Sequence, residues 1–357
     1  MTEVIGVGVI SFVFSLTAVW MICRISHKNS WYDKIDDRKI HTGDVPRLGG
    51  VGFSAVFIVV SLLLVFVRAE IHLGIRFVSV FIGMCIILVC GVLDDFHTLA
   101  SKTKLGIQCI AGVLVIAPLY RFQHLVFFDD NFWMLGWLKL PLSFLWVVGL
   151  TNAINFIDGV DGLAGGVSAI IAVTYAVIFA SFTGSGSLIL FCVCLAASVG
   201  GFLVFNLPVP HAKIFMGDGG SQFLGFTLAV LPLLDQGAVR LSLPIPYAAA
   251  LLLIPILDMV AAVWRRIRDK RPVDSPDKSH IHHKLMYLGC SSWGIDGLLY
   301  GLQITLGILV FFAIQFRSRQ IVSLTFLGFS YGIAVAFFTI VHFVYRGKMV
   351  RRDSSPS

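Results

Sequence analysis

Eleven apolar runs decide what this chain can fold into. Runs of about 18 or more apolar residues are typical of membrane-spanning helices. They lie at 4–23, 48–67, 76–93, 105–120, 140–154, 164–182, 188–206, 219–234, 243–264, 298–316 and 321–345. Only 13% of the 357 residues are charged, against about 25% in soluble domains, and the runs lack the period-two alternation of a β-barrel. The sequence therefore predicts an all-α, polytopic integral membrane protein with about 11 transmembrane helices.

The basic residues predict how these helices are oriented. Eleven spans place the two termini on opposite sides, and cytoplasmic loops carry the excess of Lys and Arg. With the N-terminus outside, the inner segments are 24–47, 94–104, 155–163, 207–218, 265–297 and the tail from 346. They hold 20 of the 27 Lys and Arg residues. We therefore expect one transmembrane domain over 1–357 with a cytoplasmic C-terminus and these loops on the cytoplasmic face.

The motif GVLDDFHTLASKTKLGIQ (91–108) joins two adjacent acids to two lysines. Asp94 and Asp95 end an apolar run, and Lys102 and Lys104 follow within ten residues. Paired carboxylates serve a divalent cation or accept a proton, and hard oxygen ligands suit Mg²⁺. A lysine would meet a phosphate. The alternative is a solvated loop with balanced charge.

The motif TNAINFIDGVDGLAGG (151–166) spaces four polar side chains three residues apart: Asn152, Asn155, Asp158 and Asp161. Neighbours at this spacing share a helix face, but each step drifts by about 60°. All four can serve one site only if the helix ends within the motif, which Gly159 and Gly162 permit. A plain helix end with Asx turns is the alternative.

The motif FNLPVPHAKIFMGDGGSQFLG (205–225) places Asp218 at the expected start of a helix. A capping aspartate there would be worth about 1 kcal/mol. The functional interpretation is a metal ligand beside a glycine-rich backbone and a helix N-terminus, which together favour a phosphate. Phe215 lies next to these glycines and could stack on a base.

The motif WRRIRDKRPVDSPDKSHIHHKL (264–285) combines a basic run with His280, His282 and His283. A basic run beside a membrane commonly serves orientation and attraction to anionic lipids. Zinc on a helix would need histidines at i and i+4, and this spacing is absent. The cluster is better interpreted as donors for a diphosphate, whose oxygens would favour protonated histidine.

Taken together, these motifs place carboxylates, cations and an aromatic ring on one predicted face. Phosphoryl transfer between two anionic substrates needs this combination, because cations must offset repulsion and positioning does most of the work. The rival interpretation is a transporter, which would place ionisable groups near the bilayer midplane. Asp258 is the one acid well inside a predicted span, and it lies near the inner end of that span.

The motifs, in this order, resemble those of the polyprenyl-phosphate N-acetylhexosamine-1-phosphate transferases. The resemblance rests on "LDD…K.KL..Q", "NA.NFIDGVDGLAGG", "FMGDGGS.FLG" and "HIHH" and covers nearly the whole chain. The loop DDRKIHTGDVPRLGG and the HIHH motif are similar to the WecA- and TagO-like branch, which transfers N-acetylglucosamine 1-phosphate. The branch that uses a muramoyl-pentapeptide donor carries a different histidine motif.

The resemblance implies a Mg²⁺-dependent phosphoglycosyl transferase at the cytoplasmic face of a bacterial inner membrane, with Mn²⁺ as the alternative ion. Undecaprenyl phosphate would attack the β-phosphorus of a UDP-N-acetylhexosamine and release UMP, in the first membrane step of a cell-surface polysaccharide. The partners would be these two substrates and the lipid bilayer, without nucleic acid. Another UDP-sugar, including UDP-N-acetylmuramoyl-pentapeptide, and a homo-oligomer both stay open.

The resemblance also implies roles for single residues. Asp218, with Asp94, would bind the metal, and Asp94 and Asp95 would handle the lipid phosphate. The donor site would be lined by Lys104, Asn152, Asn155, Asp158, Asp161, Phe215, His280, His282 and His283. A phosphate monoester is mostly dianionic at pH 7, so much of the usual gain of about 10²–10⁴ from a general base is unnecessary. We therefore favour positioning for Asp94 and Asp95, with proton acceptance as the second choice.

Overall fold

A computed structural model describes residues 1–32, 45–67, 75–118, 121–122, 124–128, 131–182, 184–207, 211–234 and 243–353. These residues form two compact units. The first comprises Met1–Phe122 and Trp137–Ser242, and the second comprises Gln123–Gly136 and Leu243–Ser357. The sequence predicted a single domain, and that expectation stays a prediction.

The first unit consists of eight helices in the described residues. They are α1 (Thr2–Lys28), α2 (Gly49–Val67), α3 (Ile75–His97), α4 (Ser101–Ile116), α5 (Lys139–Ile157), α6 (Leu163–Phe182), α7 (Gly186–Asn206) and α8 (Gly217–Leu234). A 3₁₀ turn at Gly136–Leu138 precedes α5.

The second unit begins with a β-hairpin and continues with five helices. The elements are β1 (His124–Phe128), β2 (Asn131–Met134), α9 (Ile245–Leu251), α10 (Leu253–Arg268), α11 (Ile281–Leu288), α12 (Ser292–Gln315) and α13 (Gln320–Asp353).

Every predicted apolar run coincides with a helix or with the pair α9 and α10. Eight described helices are long and apolar enough to cross a membrane, and the bent pair makes a ninth if it is one span. The chain is therefore a multi-pass membrane protein. α4 and α8 are 16 and 18 residues long and fall outside this set, so the count of eleven spans stays a prediction.

The run 243–264 is not the single straight helix that the sequence predicted. α9 and α10 meet at an angle of 87°. The break follows from Pro255, which has no N–H to donate to the carbonyl of Leu251. Gln303 of α12 replaces that donor, with its Nε2 2.9 Å from the Leu251 carbonyl oxygen.

The antiparallel hairpin β1–β2 corrects the all-α expectation in one small region. Val126 pairs with Trp133 and Phe127 with Phe132. Aromatic and β-branched residues favour strands, and this segment contains HLVFF and NFWM in close succession.

Helix α8 is the central element of the first unit. All residues from Gly219 to Leu233 are buried, and α8 packs against α2, α3 and α5. Gly219 approaches Gly91 of α3, and Gly220 approaches Gly50 of α2, so closely that a Cβ at either position would meet backbone atoms. Two glycines of the MGDGG motif therefore serve close helix packing, which holds the start of α8 against the ends of its neighbours.

Candidate active site

Lys104 lies between two of the predicted carboxylates. Its Nζ is 2.7 Å from Oδ2 of Asp94 and 3.6 Å from Oδ2 of Asp218. Asp94 lies in the last turn of α3, Lys104 lies in the first turn of α4, and Asp218 lies in the first turn of α8. The structure thus brings together three candidates that are separated by up to 124 residues of sequence.

Both carboxylate oxygens of Asp94 accept hydrogen bonds. The backbone N–H of Leu99 donates to its Oδ1 at 2.6 Å, and Lys104 donates to its Oδ2. Its side chain is 5% exposed. This carboxylate therefore orients the lysine and the turn between α3 and α4.

Asp95 caps the start of α8. The backbone N–H groups of Asp218 and Gly219 donate to its Oδ1 and Oδ2 at 3.0 and 3.2 Å. Arg47 lies 3.3 Å from the same Oδ1 and also donates to the carbonyl of Asp94. The sequence suggested that this helix start would meet a phosphate. In the structure the amides of Asp218 and Gly219 bind Asp95 instead, so that interpretation is wrong for these two amides.

Asp218 is less buried than Asp94 and Asp95. Its side chain is 35% exposed, and its Oδ1 accepts a 3.0 Å hydrogen bond from Nδ2 of Asn155. Asn155 also donates to Oγ of Ser221, which in turn donates to the carbonyl of Gly217. Because Asp95 supplies the cap of α8, the alternative of Asp218 as the capping residue has no support in these contacts.

Asn152 belongs to a separate amide network. Its Nδ2 donates to Oε1 of Gln108 at 2.7 Å, and Nε2 of Gln108 also lies 3.0 Å from Oε1 of Gln222. Both glutamines are buried. Asn152 therefore ties α4, α5 and α8 together one turn before Asn155.

Helix α5 ends within its motif, as the sequence predicted. Ile157 is its last residue and Asp158 is its C-cap. Gly162 has φ +86°, a conformation that glycine adopts without the strain of a side chain. The N–H of Gly162 donates to Oδ1 of Asn206, and Nδ2 of Asn206 donates to the carbonyl of Ile214. Asn206 thus joins this turn to the segment before α8.

Asp158 lies in a setting that disfavours its charged form. Burial raises its pKa well above the usual range, and the negative charges of Asp218, Asp161 and Asp95 act in the same direction. Asp161 is half-buried nearby. A cation entering this part of the site would relieve repulsion among these carboxylates.

Phe215 is held by its backbone beside the cluster. Its N–H donates to the carbonyl of Pro46, and its carbonyl accepts from Gly49. Its side chain is half-buried. The basic loop that begins at Asp36 contributes Arg47 here, while Arg38, Lys39 and His41 lie outside the described residues. Sequence reasoning counted Arg47 only as one of the cations of this loop and gave no site role to Gln108 or Asn206, although each lies within a motif.

The three predicted histidines belong to the second unit and differ from one another. Nδ1 of His280 lies 2.7 Å from Oδ2 of Asp258. His282 is 2% exposed, and its ring centroid is 4.2 Å from that of His283, which is half-buried.

The surroundings of His282 favour its neutral form, whereas the sequence predicted a protonated ring beside a diphosphate. Burial, together with the charges of His283 and His280, lowers the pKa of His282 to about 3. Burial also lowers the pKa of His283. Without a bound anion His282 is therefore neutral near pH 7, and its role as a charged donor to a diphosphate stays a prediction.

The donor set suits Mg²⁺ through Asp218. Among the described residues, no group of three or more His, Cys, Asp or Glu side chains has the arrangement of a metal site made by protein alone. Mg²⁺ commonly keeps waters and binds one or two carboxylates together with substrate phosphates. Asp218 is half-buried and its Oδ2 lies 3.6 Å from Nζ of Lys104, whereas both oxygens of Asp94 accept hydrogen bonds from Leu99 and Lys104.

Comparisons with known proteins agree on one family. Residues 77–235 match glycosyl transferase family 4. The chain is 40% identical over 293 residues to a Bacillus subtilis protein named "Probable undecaprenyl-phosphate N-acetylglucosaminyl 1-phosphate transferase", covering 79% of this chain and 78% of the relative. It is 31% identical over 290 residues to the Escherichia coli K12 protein named "Undecaprenyl-phosphate alpha-N-acetylglucosaminyl 1-phosphate transferase", covering 79% and 76%. A Yersinia pestis protein of that same name is 30% identical over 286 residues with the same coverage.

Proposed function

Because the chain belongs to glycosyl transferase family 4, as one of the polyprenyl-phosphate N-acetylhexosamine-1-phosphate transferases, we propose that it transfers N-acetylglucosamine 1-phosphate from UDP-N-acetylglucosamine to undecaprenyl phosphate. The products are undecaprenyl-diphospho-N-acetylglucosamine and UMP. The lipid product starts a cell-surface polysaccharide at the cytoplasmic face of the inner membrane. The names of the relatives support undecaprenyl phosphate as the acceptor and N-acetylglucosamine 1-phosphate as the transferred group.

The proposed reaction is a single displacement at phosphorus. An oxygen of the lipid phosphate attacks the β-phosphorus and forms the new P–O bond. The bond between the β-phosphorus and the bridging oxygen breaks, and UMP leaves with that oxygen and the electron pair. The attacking phosphate is mostly dianionic near pH 7, so the protein needs to position it and to offset charge more than to remove a proton.

The cluster around Lys104 supplies the positioning in this proposal. Asp94 orients Lys104, whose ammonium offsets the charge of the substrate phosphates. Asn155 holds the carboxylate of Asp218, and Asp218 is the residue that would hold Mg²⁺. Bound there, Mg²⁺ supplies charge neutralisation at the diphosphate. Asp158, Asp161 and Phe215 line the surrounding turns, where the sugar nucleotide is proposed to bind.

One observation carries the proposal: Lys104 contacts carboxylates of both α3 and α8 at the point where the ends of four helices meet. A transporter needs no such pairing of a lysine with two acids at helix ends, whereas phosphoryl transfer needs cations and carboxylates in one place.

The experiment measures UMP release by detergent-purified protein. We expect release from UDP-N-acetylglucosamine only when undecaprenyl phosphate and Mg²⁺ are both present. Parallel reactions contain UDP-N-acetylgalactosamine or UDP-N-acetylmuramoyl-pentapeptide. UMP release without the lipid would show hydrolysis and contradict the proposal, and a faster rate with either other donor would replace the proposed sugar.

The orientation of the helices gives a second test. With the N-terminus outside, reporter fusions after Ser30, Ser101 and Ser279 should all report the cytoplasm, because these positions precede or follow spans that end on the basic side. A fusion after Asn131, in the hairpin, should report the outer side and serves as the control. A reporter at any of the three serines that lies outside would contradict a single cytoplasmic site.

A further inference from the structure

Three amide side chains form a layer beneath the candidate site in the first unit. They are Gln108 of α4, Asn152 of α5 and Gln222 of α8. Gln108 and Gln222 are each 2% exposed. A buried polar group costs free energy unless it is hydrogen-bonded, so the contacts of these amides with one another show what the layer does.

The hydrogen bonds of this layer run between helices. Nε2 of Gln108 donates to Oε1 of Gln222 at 3.0 Å and lies 3.3 Å from Oδ1 of Asn152. Nδ2 of Asn152 donates to Oε1 of Gln108 at 2.7 Å and to the carbonyl of Val148, in its own helix, at 2.8 Å. Gln108 is therefore the centre of the layer, and it joins α4 to both α5 and α8.

The layer lies about one helical turn from residues of the candidate site. Each of the three helices carries one residue of the site and one amide, three or four positions apart: Lys104 and Gln108, Asp218 and Gln222, and Asn155 and Asn152. Residues at this spacing share a helix face and lie roughly 5 Å apart along the helix axis. The site residues lie in the first turns of α4 and α8 and in the last turn of α5, so the amides lie one turn further into their helices.

Side-chain contacts connect α4 with α8 in both layers. Both helices pack against α3 and α5. Nζ of Lys104 lies 3.6 Å from Asp218 in a contact that is partly open to solvent, whereas the contact of Gln108 with Gln222 is buried. Solvent weakens an exposed ionic contact, and a hydrogen bond in a low-dielectric interior is stronger than in water. The amide contact is therefore the stronger of the two connections.

We propose that Gln108 and Gln222 are positioning residues for the transfer reaction. Their hydrogen bond fixes the separation of α4 and α8, and thereby the distance between Lys104 and Asp218. The proposal rests on the proposed function, in which that ammonium offsets phosphate charge and that carboxylate holds Mg²⁺. Apolar side chains could fill the same space without burying polar groups, and the best-attested use of buried polar groups is to fix the register between helices. Asn152 then acts through Gln108, because its amide nitrogen already has two acceptors in the protein.

Methionine at either glutamine position removes the hydrogen bond and keeps a side chain of similar length. We expect Gln108→Met and Gln222→Met to lower kcat for UMP release at least about tenfold at saturating substrates, because misplacement by about 1 Å can cost about 10²-fold. The KM for UDP-N-acetylglucosamine should change less, since the proposal places neither amide at the substrate. Wild-type kcat in both folded variants would contradict the proposal.

The double variant Gln108→Met/Gln222→Met separates positioning from stability. Replacement of both hydrogen-bonding partners by apolar groups of similar shape can be nearly neutral, so the melting temperature lost in the single variants should partly return while kcat stays low. Recovery of kcat together with the melting temperature would show that the layer only stabilises the fold, and would overturn the proposal.

Thr151→Val is the matched control. Thr151 is buried in α5, and its Oγ1 donates to the carbonyl of Val147 within the same helix at 2.8 Å. The substitution therefore removes a buried hydrogen bond that joins no second helix, and kcat should stay at the wild-type level. A loss of kcat in the control equal to that in Gln222→Met would assign the effect to any lost polar contact in this region, against the proposal.

The position of Lys104 can be measured without the reaction. Reductive methylation followed by mass spectrometry gives the ratio of modification at Lys104 to that at Lys102, which is exposed in the same helix. We expect this ratio to rise about two- to fivefold in the methionine variants, the range for loss of one partly exposed ion pair, and to stay unchanged in Thr151→Val. An unchanged ratio in folded Gln222→Met would overturn the proposal. The measurement needs no substrate, so it tests the position of Lys104 even if the protein releases no UMP, and failure of the proposed function is distinguishable from failure of this inference.

Discussion

Asp218→Asn should abolish UMP release while leaving the protein folded. The neutral amide is a poor ligand for Mg²⁺, and removal of one charge-stabilising group from such a site lowers turnover by about 10²–10³-fold or more. The helix start should survive, because Asp95 caps α8 through the backbone N–H groups of residues 218 and 219, which the substitution leaves in place.

The measurement is kcat in detergent together with a thermal melt of the same preparation. Asp269→Asn is the matched control, since it also removes one carboxylate but lies on an exposed ion pair with Arg268. The control should keep both activity and stability. Wild-type turnover in a folded Asp218→Asn would confine Asp218 to accepting the hydrogen bond from Asn155 and would remove it from the chemistry.

The sequence was sufficient for features that depend on local spacing. The drift of side chains around a helix required α5 to end within its motif, and it ends at Ile157. The apolar runs located every long helix, because burial in a bilayer demands continuous apolar sequence. The hairpin β1–β2 went unnoticed, since two strands of five and four residues leave a weak pattern beside runs of twenty.

Contacts between distant segments could not be predicted in this way. Asp95 reaches amides 123 and 124 residues further along the chain, and no local pattern distinguishes it from Asp94, which holds Lys104. Likewise, Asp258 was visible as a buried acid, but its partner His280 lies 22 residues away. The motifs identified the residues that come together. Which of them binds the start of α8 depends on tertiary packing around that helix, which local sequence does not show.

Asp95→Ala should affect stability more strongly than any other single change in the cluster. Its side chain is 4% exposed and has Arg47 as its ionic partner. The substitution leaves two helix N-terminal amides without an acceptor and the guanidinium without its carboxylate. Breaking a buried ion pair costs about 3–5 kcal/mol, and loss of a helix cap costs about 0.5–2 kcal/mol. These costs overlap, so we expect the free energy of unfolding to fall by about 3 kcal/mol or more.

The comparison with Asp95→Asn and Asp94→Asn decides what the paired acids do. Asparagine at 95 can still accept from one amide, so it should recover part of the stability lost in the alanine variant. Asp94→Asn keeps the acceptor for Leu99 but weakens the hydrogen bond to Lys104. Its main effect should therefore be a lower kcat, with only a small change in the melting temperature. If Asp95→Ala melts like the wild type and yet releases no UMP, Asp95 acts on substrate as its sequence suggested. A lowered melting temperature, with kcat recovering in Asp95→Asn, places Asp95 in the scaffold that holds the start of α8 and leaves Lys104, oriented by Asp94, and Asp218 to act at the phosphates.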